Sequence, residues 1–273
     1  MAASRHLKAM IDAAEKAGRS LLRHFAKVGS LTIVVKGPHD FVSIADQTAE
    51  KIAMRTLQKA FPAYGFCMEE SGIKAGTDTT SRWIIDPLDG TTNFLHGVPH
   101  WAVSIALEQK GKIIAGVVYD PCKKEMFTAE KGKGAFLNGR RLRVSAIREF
   151  STALAGVGGP RFNKRDYGIF MSEFSAINPF TDVRRFGAAA LDLSWVAAGR
   201  FESFWERELN PWDVAAGSLL VTEAGGRVSD LSGGTDYIYG RSIVVGNPAI
   251  QPELLKKLKA SGHRAPKKVK SGS

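Results

Sequence analysis

Cysteine is scarce in this sequence, with only Cys67 and Cys122 among 273 residues. The two are far apart and match no metal-ligand spacing, which disfavours a disulfide-framed secreted scaffold and favours a reducing cytoplasm. Long apolar runs are also missing. Asp12 and Glu15 interrupt the apolar residues of the first 25 positions, so there is neither a signal-peptide core nor a membrane span. We therefore expect a cytoplasmic protein that does not associate with a membrane.

Motifs for zinc and for nucleotides are absent as well. No histidine stands at a ligand spacing from a cysteine or within an HExxH pattern, so a zinc site is not expected. The glycine-rich stretch 156–159 lacks the third glycine of a dinucleotide fingerprint and the Lys-Ser/Thr of a phosphate-binding loop. We interpret that stretch as a turn.

Acidic residues are missing from the C-terminal end. The net charge is +11, and seven lysines and arginines with no aspartate or glutamate follow Leu255, which leaves +4 for the rest of the chain. Such a segment is more often a frayed, solvated end than a nucleic-acid arm. We expect residues 256–273 to form a basic, flexible tail.

The remaining composition is that of a globular protein, with 44% hydrophobic and 24% charged residues. No repeat or linker divides it, so we expect one catalytic domain over 1–255 with lobes at about 1–145 and 146–255. Apolar periodicity predicts interleaved helices and strands, hence helices layered on sheets. The predicted helices are 7–25, 43–61, 167–175, 188–198, 212–224 and 252–258. The predicted strands are 31–35, 83–86, 103–107, 113–119, 154–157, 183–186, 203–205 and 243–245.

The segment 83–93 contains the densest candidate chemistry. An apolar strand delivers Asp86 and Asp89 into a turn, and Pro87 is expected to end the strand because it cannot donate to a sheet ladder. Gly90 permits a tight turn, and the amides that follow can open a helix that attracts an anion. Two like charges 4 Å apart repel by about 4 kcal/mol at an effective dielectric of 20, so an anion here requires a cation. Oxygen ligands favour Mg²⁺.

Each acidic motif also has a plain structural explanation. Asp, Pro and Gly are turn residues in any protein, the Glu69-Glu70 pair could be a solvated face, and Asp213 could cap the helix it begins. Singly, none of these motifs identifies a function.

Together they resemble the inositol monophosphatase family, which lies within the lithium-inhibited, metal-dependent sugar phosphatases. The resemblance covers about residues 36–226, and phrases at 184–187 and 197–200 are similar to the bacterial, SuhB-like branch. It implies an α+β fold, the layered αβαβα sandwich of that family, and a homodimer. The segments that carry it are Asp40-Phe41-Val42-Ser43-x-x-Asp46, Glu69-Glu70-Ser71, Trp83 through Phe94, Trp212-Asp213-x-Ala215-Ala216-Gly217 and Thr222 through Gly226.

The resemblance also implies two or more Mg²⁺ ions per subunit. Glu69, Asp86 and the backbone carbonyl of Leu88 would hold one ion. Asp86, Asp89 and Asp213 would hold the second, with Asp86 between them. Two such ions promote in-line attack of water on phosphorus without a covalent intermediate.

By the same resemblance, the amides of Gly90 and Thr91 would grip the phosphate. Asp46 and the Thr91 hydroxyl would orient and deprotonate the attacking water, and Glu70 would hold the loop that carries Glu69.

On the substrate side, Glu206 would accept hydrogen bonds from polyol hydroxyls, and Ala189 and Asp213 would also contact substrate. Gly187 and Ala188 align with the same ring-facing loop, although many eukaryotic members have Thr at the Ala188 position. Lys36 would lie near the phosphate or simply be solvated.

The function this implies is Mg²⁺-dependent hydrolysis of inositol 1-phosphate or a related small polyol phosphate. Histidinol phosphate and fructose 1,6-bisphosphate remain alternatives. The 17-residue interval from Glu69 to Asp86 argues against 3′-phosphoadenosine 5′-phosphate. Bacterial relatives of this kind also act as partners of the transcription machinery, and the basic tail could assist binding to nucleic acid.

Overall fold

The computed structural model describes residues 3–28, 33–37, 40–160 and 164–261. The α-helices of these residues are α1 (Arg5–Phe25), α2 (Ile44–Ala60), α3 (Thr91–Leu95), α4 (Lys164–Ile177), α5 (Ala189–Ala197), α6 (Pro211–Glu223) and α7 (Ile250–Ala260). The strands of the first half are β1 (Ile33–Gly37), β2 (Asp40–Ser43), β3 (Tyr64–Met68), β4 (Gly72–Lys74), β5 (Asp78–Asp89), β6 (Ala102–Gln109), β7 (Lys112–Asp120), β8 (Glu125–Glu130), β9 (Gly134–Leu137) and β10 (Arg140–Arg141). Those of the second half are β11 (Leu154–Val157), β12 (Asp182–Arg184), β13 (Ser203–Arg207), β14 (Arg227–Ser229) and β15 (Ser242–Gly246).

Two large sheets organise the chain. The first has eight strands in the order β10-β9-β8-β7-β6-β5-β3-β4, and the second has five in the order β12-β11-β13-β15-β14. Both are mixed: β3 and β5 are parallel, as are β11 with β12 and β11 with β13, and the other pairs are antiparallel. The predicted antiparallel pairing of β6 with β7 is confirmed.

The helices form three layers around these sheets. Helices α1 and α2 cover one face of the first sheet, α5 and α6 fill the space between the sheets, and α4 and α7 cover the far face of the second sheet. An apolar core lies on each face of both sheets, because every sheet must bury both faces. The predicted αβαβα sandwich is confirmed.

Local signals account for the helix ends. Ser4 caps α1, its hydroxyl accepting a hydrogen bond from the Leu7 amide at 3.1 Å. Gly225 follows α6 with a φ of +91°, the left-handed conformation expected of a glycine after a helix. The Ser43 side chain, part of the predicted capping box, and residues 31–32 lie outside the described residues.

The prediction that Pro87 ends its strand is wrong. Strand β5 continues to Asp89, and the pairing with β6 shifts between Asp86, opposite Ser104, and Asp89, opposite Ala102. The one extra residue of β5 forms a bulge, which is where a strand tolerates proline because a ladder hydrogen bond is already missing there. The bulge keeps the acidic segment part of β5, an internal strand of the first sheet.

Two further expectations need correction. Gly156 and Val157 belong to β11, so only the end of the stretch interpreted as a turn follows the strand. The predicted boundary of the tail, at residue 256, is too early, because α7 continues to Ala260 and Leu258 is 1% exposed. Burying Leu258 against the second sheet stabilises the last helical turn. Residues 262–273 lie outside the described residues.

Among the described residues, none of the helices combines the length and the apolar character that a membrane span requires. Cys67 and Cys122 are both free thiols.

Candidate active site

An acid-lined cleft of about 380 Å³ lies where the first sheet, the middle helices and the second sheet meet. One wall comes from the first sheet and α6, and we call it the acidic wall: Glu69, Asp86, Leu88, Asp89, Gly90, Thr91 and Asp213. The opposite wall comes from the second sheet and the start of α5, and we call it the substrate wall: Gly159, Arg185, Gly187, Ala189, Glu206, Arg207 and Glu208. Residues from both halves of the chain thus face each other across the cleft.

Glu69 follows β3 and is set by backbone contacts. Its amide donates to the Ile85 carbonyl at 3.2 Å, which ties the loop to β5. Glu50 of α2, 3% exposed, accepts hydrogen bonds from the Glu70 amide at 2.8 Å and the Ser71 amide at 3.1 Å. Glu50 therefore holds the loop, a function that the sequence analysis gave to Glu70. The role of the Glu70 carboxylate remains a prediction.

Asp86 and Thr91 are joined through Leu88. One Asp86 carboxylate oxygen accepts from the Leu88 amide at 2.9 Å, and the Leu88 carbonyl accepts from the Thr91 hydroxyl at 2.9 Å. The same hydroxyl lies 3.2 Å from an Asp46 carboxylate oxygen on α2, and Asp46 is 1% exposed. The structure thus brings together Asp46 and Thr91, which the sequence analysis paired across 45 positions.

Gly90 shapes the turn between β5 and α3. Its φ is +89°, and a Cβ there would lie 3.0 Å from the His100 carbonyl oxygen and 3.3 Å from the Ala188 Cβ. A side chain would be both strained and crowded, so glycine is required. The turn leaves the first amides of α3 at the cleft.

Asp89 caps the middle helix α5 from the first sheet. Its carboxylate accepts from the Ala190 amide at 2.7 Å and is also hydrogen-bonded to the amides of Ala189 and Leu191. Ala188, the residue before α5, supplies no side-chain cap of its own. The predicted ligand Asp89 therefore also fixes the helix that carries Ala189 into the cleft.

Asp213 enters the cleft from the first turn of α6. Its carboxylate accepts from the Asn210 amide at 2.6 Å and completes a capping box with the Asn210 side chain. The capping explanation and the ligand explanation of Asp213 thus apply to the same side chain, because a cap fixes the carboxylate at the cleft.

Burial and charge repulsion act together on the carboxylates of the acidic wall. Burial, followed by the nearby Asp213 charge, raises the pKa of Glu69 to about 8 and that of Asp89 to about 7. Burial, followed by Glu69, raises the pKa of Asp86 well above its usual range. Carboxylates this close favour protons or another cation over an unpaired ionised state.

The donor set suits a hard divalent cation. Glu69, Asp86, Asp89 and Asp213 offer carboxylate oxygens and Leu88 offers a carbonyl, which are the ligands that Mg²⁺ prefers. Among the described residues, no group of three or more acidic, histidine or cysteine side chains is placed to hold a metal ion as the side chains stand. The fit therefore lies in the chemistry and charge of the donors, several of which are fixed by backbone amides.

On the substrate wall, Glu206 lies directly over the backbone of Gly158. A Cβ on Gly158 would fall 1.7 Å from the Glu206 Cδ, and one on Gly159 would fall 2.3 Å from the Arg185 Nε. The two glycines that follow β11 thus give room to both side chains, which was not evident from the sequence. Gly187 and Ala189 line the cleft as predicted, whereas Ala188 is fully buried against Gly90 and does not line it.

Sequence analysis missed Asp192, which lies on α5 behind the cleft. It is 1% exposed, and neither carboxylate oxygen has a hydrogen-bond partner among the described residues. Burial and then the charges of Glu206 and Asp89 raise its pKa well above the usual range. The Lys36 side chain, predicted near the phosphate, lies outside the described residues.

The five layers and the acidic cleft at their junction define the class of the layered sugar phosphatases. Comparison with known proteins gives the family, because the inositol monophosphatase family model matches residues 3–263. An inositol-1-monophosphatase of Mesorhizobium japonicum is 52% identical over 95% of this chain and 98% of its own length. The chain belongs to the inositol monophosphatase family.

Two other relatives indicate the bacterial branch. The crystal structure of the extragenic suppressor protein suhB from Bartonella henselae superposes with a TM-score of 0.91 at 50% identity, covering 94% of this chain and 99% of that one. The Nus factor SuhB of Escherichia coli K12 is 44% identical over 91% of this chain and 94% of its own. The predicted family and its SuhB-like branch are confirmed.

Proposed function

We propose that this protein is a Mg²⁺-dependent phosphomonoesterase that hydrolyses inositol 1-phosphate or a related small polyol phosphate. The observation that carries the proposal is the convergence of four acidic side chains from three segments beside the Gly90 turn and the Thr91–Asp46 contact. Family membership and the Mesorhizobium japonicum relative support the substrate class.

Two groups of oxygens would hold the metal. Glu69, Asp86 and the Leu88 carbonyl would bind one Mg²⁺, and Asp86, Asp89 and Asp213 would bind the other. When bound, such ions supply a nucleophilic water of lowered pKa and neutralise the leaving alkoxide. Asp86, Asp89 and Asp213 each accept a hydrogen bond from a backbone amide, so these carboxylates are already held in place before a metal binds.

Thr91 and Asp46 would manage the proton of the attacking water. The Thr91 hydroxyl has one hydrogen and two acceptors in reach, the Leu88 carbonyl and the Asp46 carboxylate. When it donates to Asp46, its oxygen can accept from a water in the cleft. Proton transfer through this pair is the general-base step we assign to them.

The remaining residues would orient the substrate. The amides of Gly90 and Thr91 would receive the phosphate at the start of α3, and Glu206 would accept the hydroxyl protons of the polyol as charge-assisted hydrogen bonds. Ala189 and Gly187 provide a small, unobstructed surface for the ring. We also expect a homodimer, as the family resemblance implies.

A phosphate-release panel tests this function. The protein should release phosphate from inositol 1-phosphate with added Mg²⁺, lose activity in EDTA and be inhibited by Li⁺ at tens of millimolar, an order-of-magnitude concentration. Histidinol phosphate and fructose 1,6-bisphosphate serve as competing substrates. Asp86→Asn should be inactive, whereas Asp182→Asn, at a side chain 80% exposed, should match wild type. Turnover that does not depend on a divalent ion would contradict the proposal.

A second role, binding to the transcription machinery, is favoured by the likeness to Nus factor SuhB. It is tested by binding to purified transcription elongation complexes. Because that binding would not depend on hydrolysis, the inactive Asp86→Asn variant should bind as well as wild type. Loss of binding on removal of residues 262–273, together with binding of the full chain that weakens steeply as salt rises, would assign the contact to the basic tail.

A further inference from the structure

The substrate wall contains a buried ion pair that the proposed chemistry does not use. Glu173 of α4 and Arg207 of β13 are 34 positions apart, and the Arg207 Nε and Nη2 lie 2.7 Å and 2.5 Å from one Glu173 carboxylate oxygen. The side chains are 2% and 14% exposed. Stability alone is a poor reason for such a pair, because desolvation offsets much of the attraction while loss of one partner leaves a buried charge.

Arg207 directly follows Glu206, the residue to which we assign recognition of the substrate hydroxyls. Successive side chains of a strand point to opposite faces. In β13, Phe204 packs in the core between the sheets and Trp205 packs in the core beneath α7. Glu206 follows the first direction, toward the cleft, and Arg207 follows the second, toward α4. The Arg207 anchor therefore fixes the rotation of the strand end that carries Glu206.

The end of β13 has little room to rotate. The Glu206 carboxylate lies against the Gly158 backbone, with no room for even a methyl group between them. Beyond Arg207 the backbone turns sharply, since Glu208 has a φ of +60°. A non-glycine residue adopts that conformation only where its surroundings impose it. The wall thus needs an anchor at the end of the strand.

The alternative anchor is weaker. Glu208 pairs with Arg241 at 3.1 Å, but the side chains are 38% and 51% exposed. Solvent-exposed pairs contribute little and are screened by salt. Of the two ion pairs near Glu206, the buried Glu173–Arg207 pair is therefore the one that can fix the backbone at the end of β13.

We propose that Glu173 and Arg207 are a positioning pair that fixes the Glu206 carboxylate for polyol recognition, an inference that rests on the proposed function. Helix α4 thereby becomes part of substrate selection although it does not line the cleft. The pair contributes to discrimination between substrates rather than to the phosphoryl chemistry of the acidic wall.

The test is a double-variant cycle of Glu173→Gln with Glu206→Ala, measured on inositol 1-phosphate and on 4-nitrophenyl phosphate, which lacks polyol hydroxyls. Glu173→Gln should raise KM for inositol 1-phosphate about tenfold, change kcat less than about threefold and leave the aryl phosphate unaffected. In the Glu206→Ala background it should have no further effect. Glu253→Gln, which removes an ion pair with Lys257 on the exposed side of α7, is the matched control and should match wild type.

Equal losses on both substrates, or effects that multiply in the double variant, would show a merely structural role and overturn the inference. If Glu173→Gln does not fold, Glu173→Asp takes its place in the same cycle, since it keeps the charge but withdraws the carboxylate by one methylene. If Glu206→Ala impairs turnover of inositol 1-phosphate but Glu173→Gln has no effect, only this inference is contradicted. Wild-type protein without Mg²⁺-dependent turnover contradicts the proposed function and this inference with it.

Discussion

The acidic wall and the substrate wall are built by different means. On the acidic wall, Asp86, Asp89 and Asp213 are each 2 to 8% exposed and each accepts a hydrogen bond from a backbone amide. On the substrate wall, Glu206 and Arg185 lie over two glycines, and Glu208 depends on an exposed ion pair. On the acidic wall, backbone hydrogen bonds hold like charges close together. On the substrate wall, packing and ion pairs fix the positions of the side chains.

This difference indicates which part of the cleft determines which property. Like charges fixed on backbone amides favour a bound cation, so we expect the acidic wall to set the reaction class. Side chains held by packing and ion pairs can change without loss of that chemistry, so we expect the substrate wall to set specificity. Variants on the acidic wall should lower kcat for every substrate, and variants on the substrate wall should change the preference among substrates.

The largest effect should come from Asp213→Asn. The amide side chain keeps an oxygen that can accept from the Asn210 amide, so α6 should remain capped while one ligand charge is lost. We expect kcat to fall by about a thousandfold on every substrate, roughly 4 kcal/mol in transition-state stabilisation, with an unchanged far-UV circular dichroism spectrum. Near-normal turnover at saturating Mg²⁺ would remove Asp213 from the metal set.

Metal removal should affect the acidic wall next. Because the pKa of Glu69 is raised to about 8 and that of Asp89 to about 7, the folded protein in EDTA retains protons that the unfolded chain releases. Its stability should be highest near pH 4 and should fall as pH rises to about 8, by up to about 1.4 kcal/mol per pH unit for each proton retained. A bound Mg²⁺ would replace these protons, so its stabilising effect should grow with pH.

Thermal unfolding from pH 5 to 8.5, with EDTA or with Mg²⁺, measures this. Asp86→Asn should flatten the dependence in EDTA because it removes one of the repelling carboxylates. A stability profile in EDTA that is flat, or that rises with pH, would contradict the repulsion described for the acidic wall.

A smaller and more selective effect is expected on the substrate wall. Glu206→Ala should lower kcat/KM for inositol 1-phosphate by roughly ten- to a hundredfold, about 1.4 to 2.7 kcal/mol, and change an aryl phosphate much less. The reason is that only the polyol loses hydrogen bonds to a carboxylate. Equal losses on both substrates would place Glu206 in the catalytic or structural machinery, and the contrast between the walls would fail at this position.

Sequence alone predicted the acidic wall better than the substrate wall, for a physical reason. Asp86, Asp89 and Gly90 lie within one short segment, so local spacing already places them together, whereas Glu69 and Asp213 were joined to them only by the family resemblance. Helix periods and apolar strands predicted the layers because burial of one face is a local pattern. The bulge at Pro87 was missed because a bulge depends on the partner strand.

The substrate wall depends on contacts that spacing does not reveal. Glu206 meets Gly158 across 48 positions and Arg207 meets Glu173 across 34, and neither pairing leaves a periodic signal. Glu50, which holds the Glu69 loop, belongs to no motif that the sequence analysis singled out. Strand β8 was missed because its apolar stretch is short and a glutamate stands at each of its ends.

The smallest effect should follow truncation after Ser261. Helix α7 packs on the second sheet and stops at Ala260, and the Ser261 carbonyl accepts a hydrogen bond from the Ser172 hydroxyl of α4 at 3.0 Å. A chain ending at Ser261 keeps these contacts, so kcat, KM and the melting temperature should all stay within error of wild type. A chain ending at Leu255 loses buried Leu258 and should lose roughly 2 kcal/mol or more of stability, with KM for the polyol rising before kcat falls because α7 supports only the substrate wall. Melting curves and kinetics of the two truncations decide the matter. If the shorter chain loses kcat and keeps KM, the support from α7 reaches the acidic wall and the division between the walls is wrong.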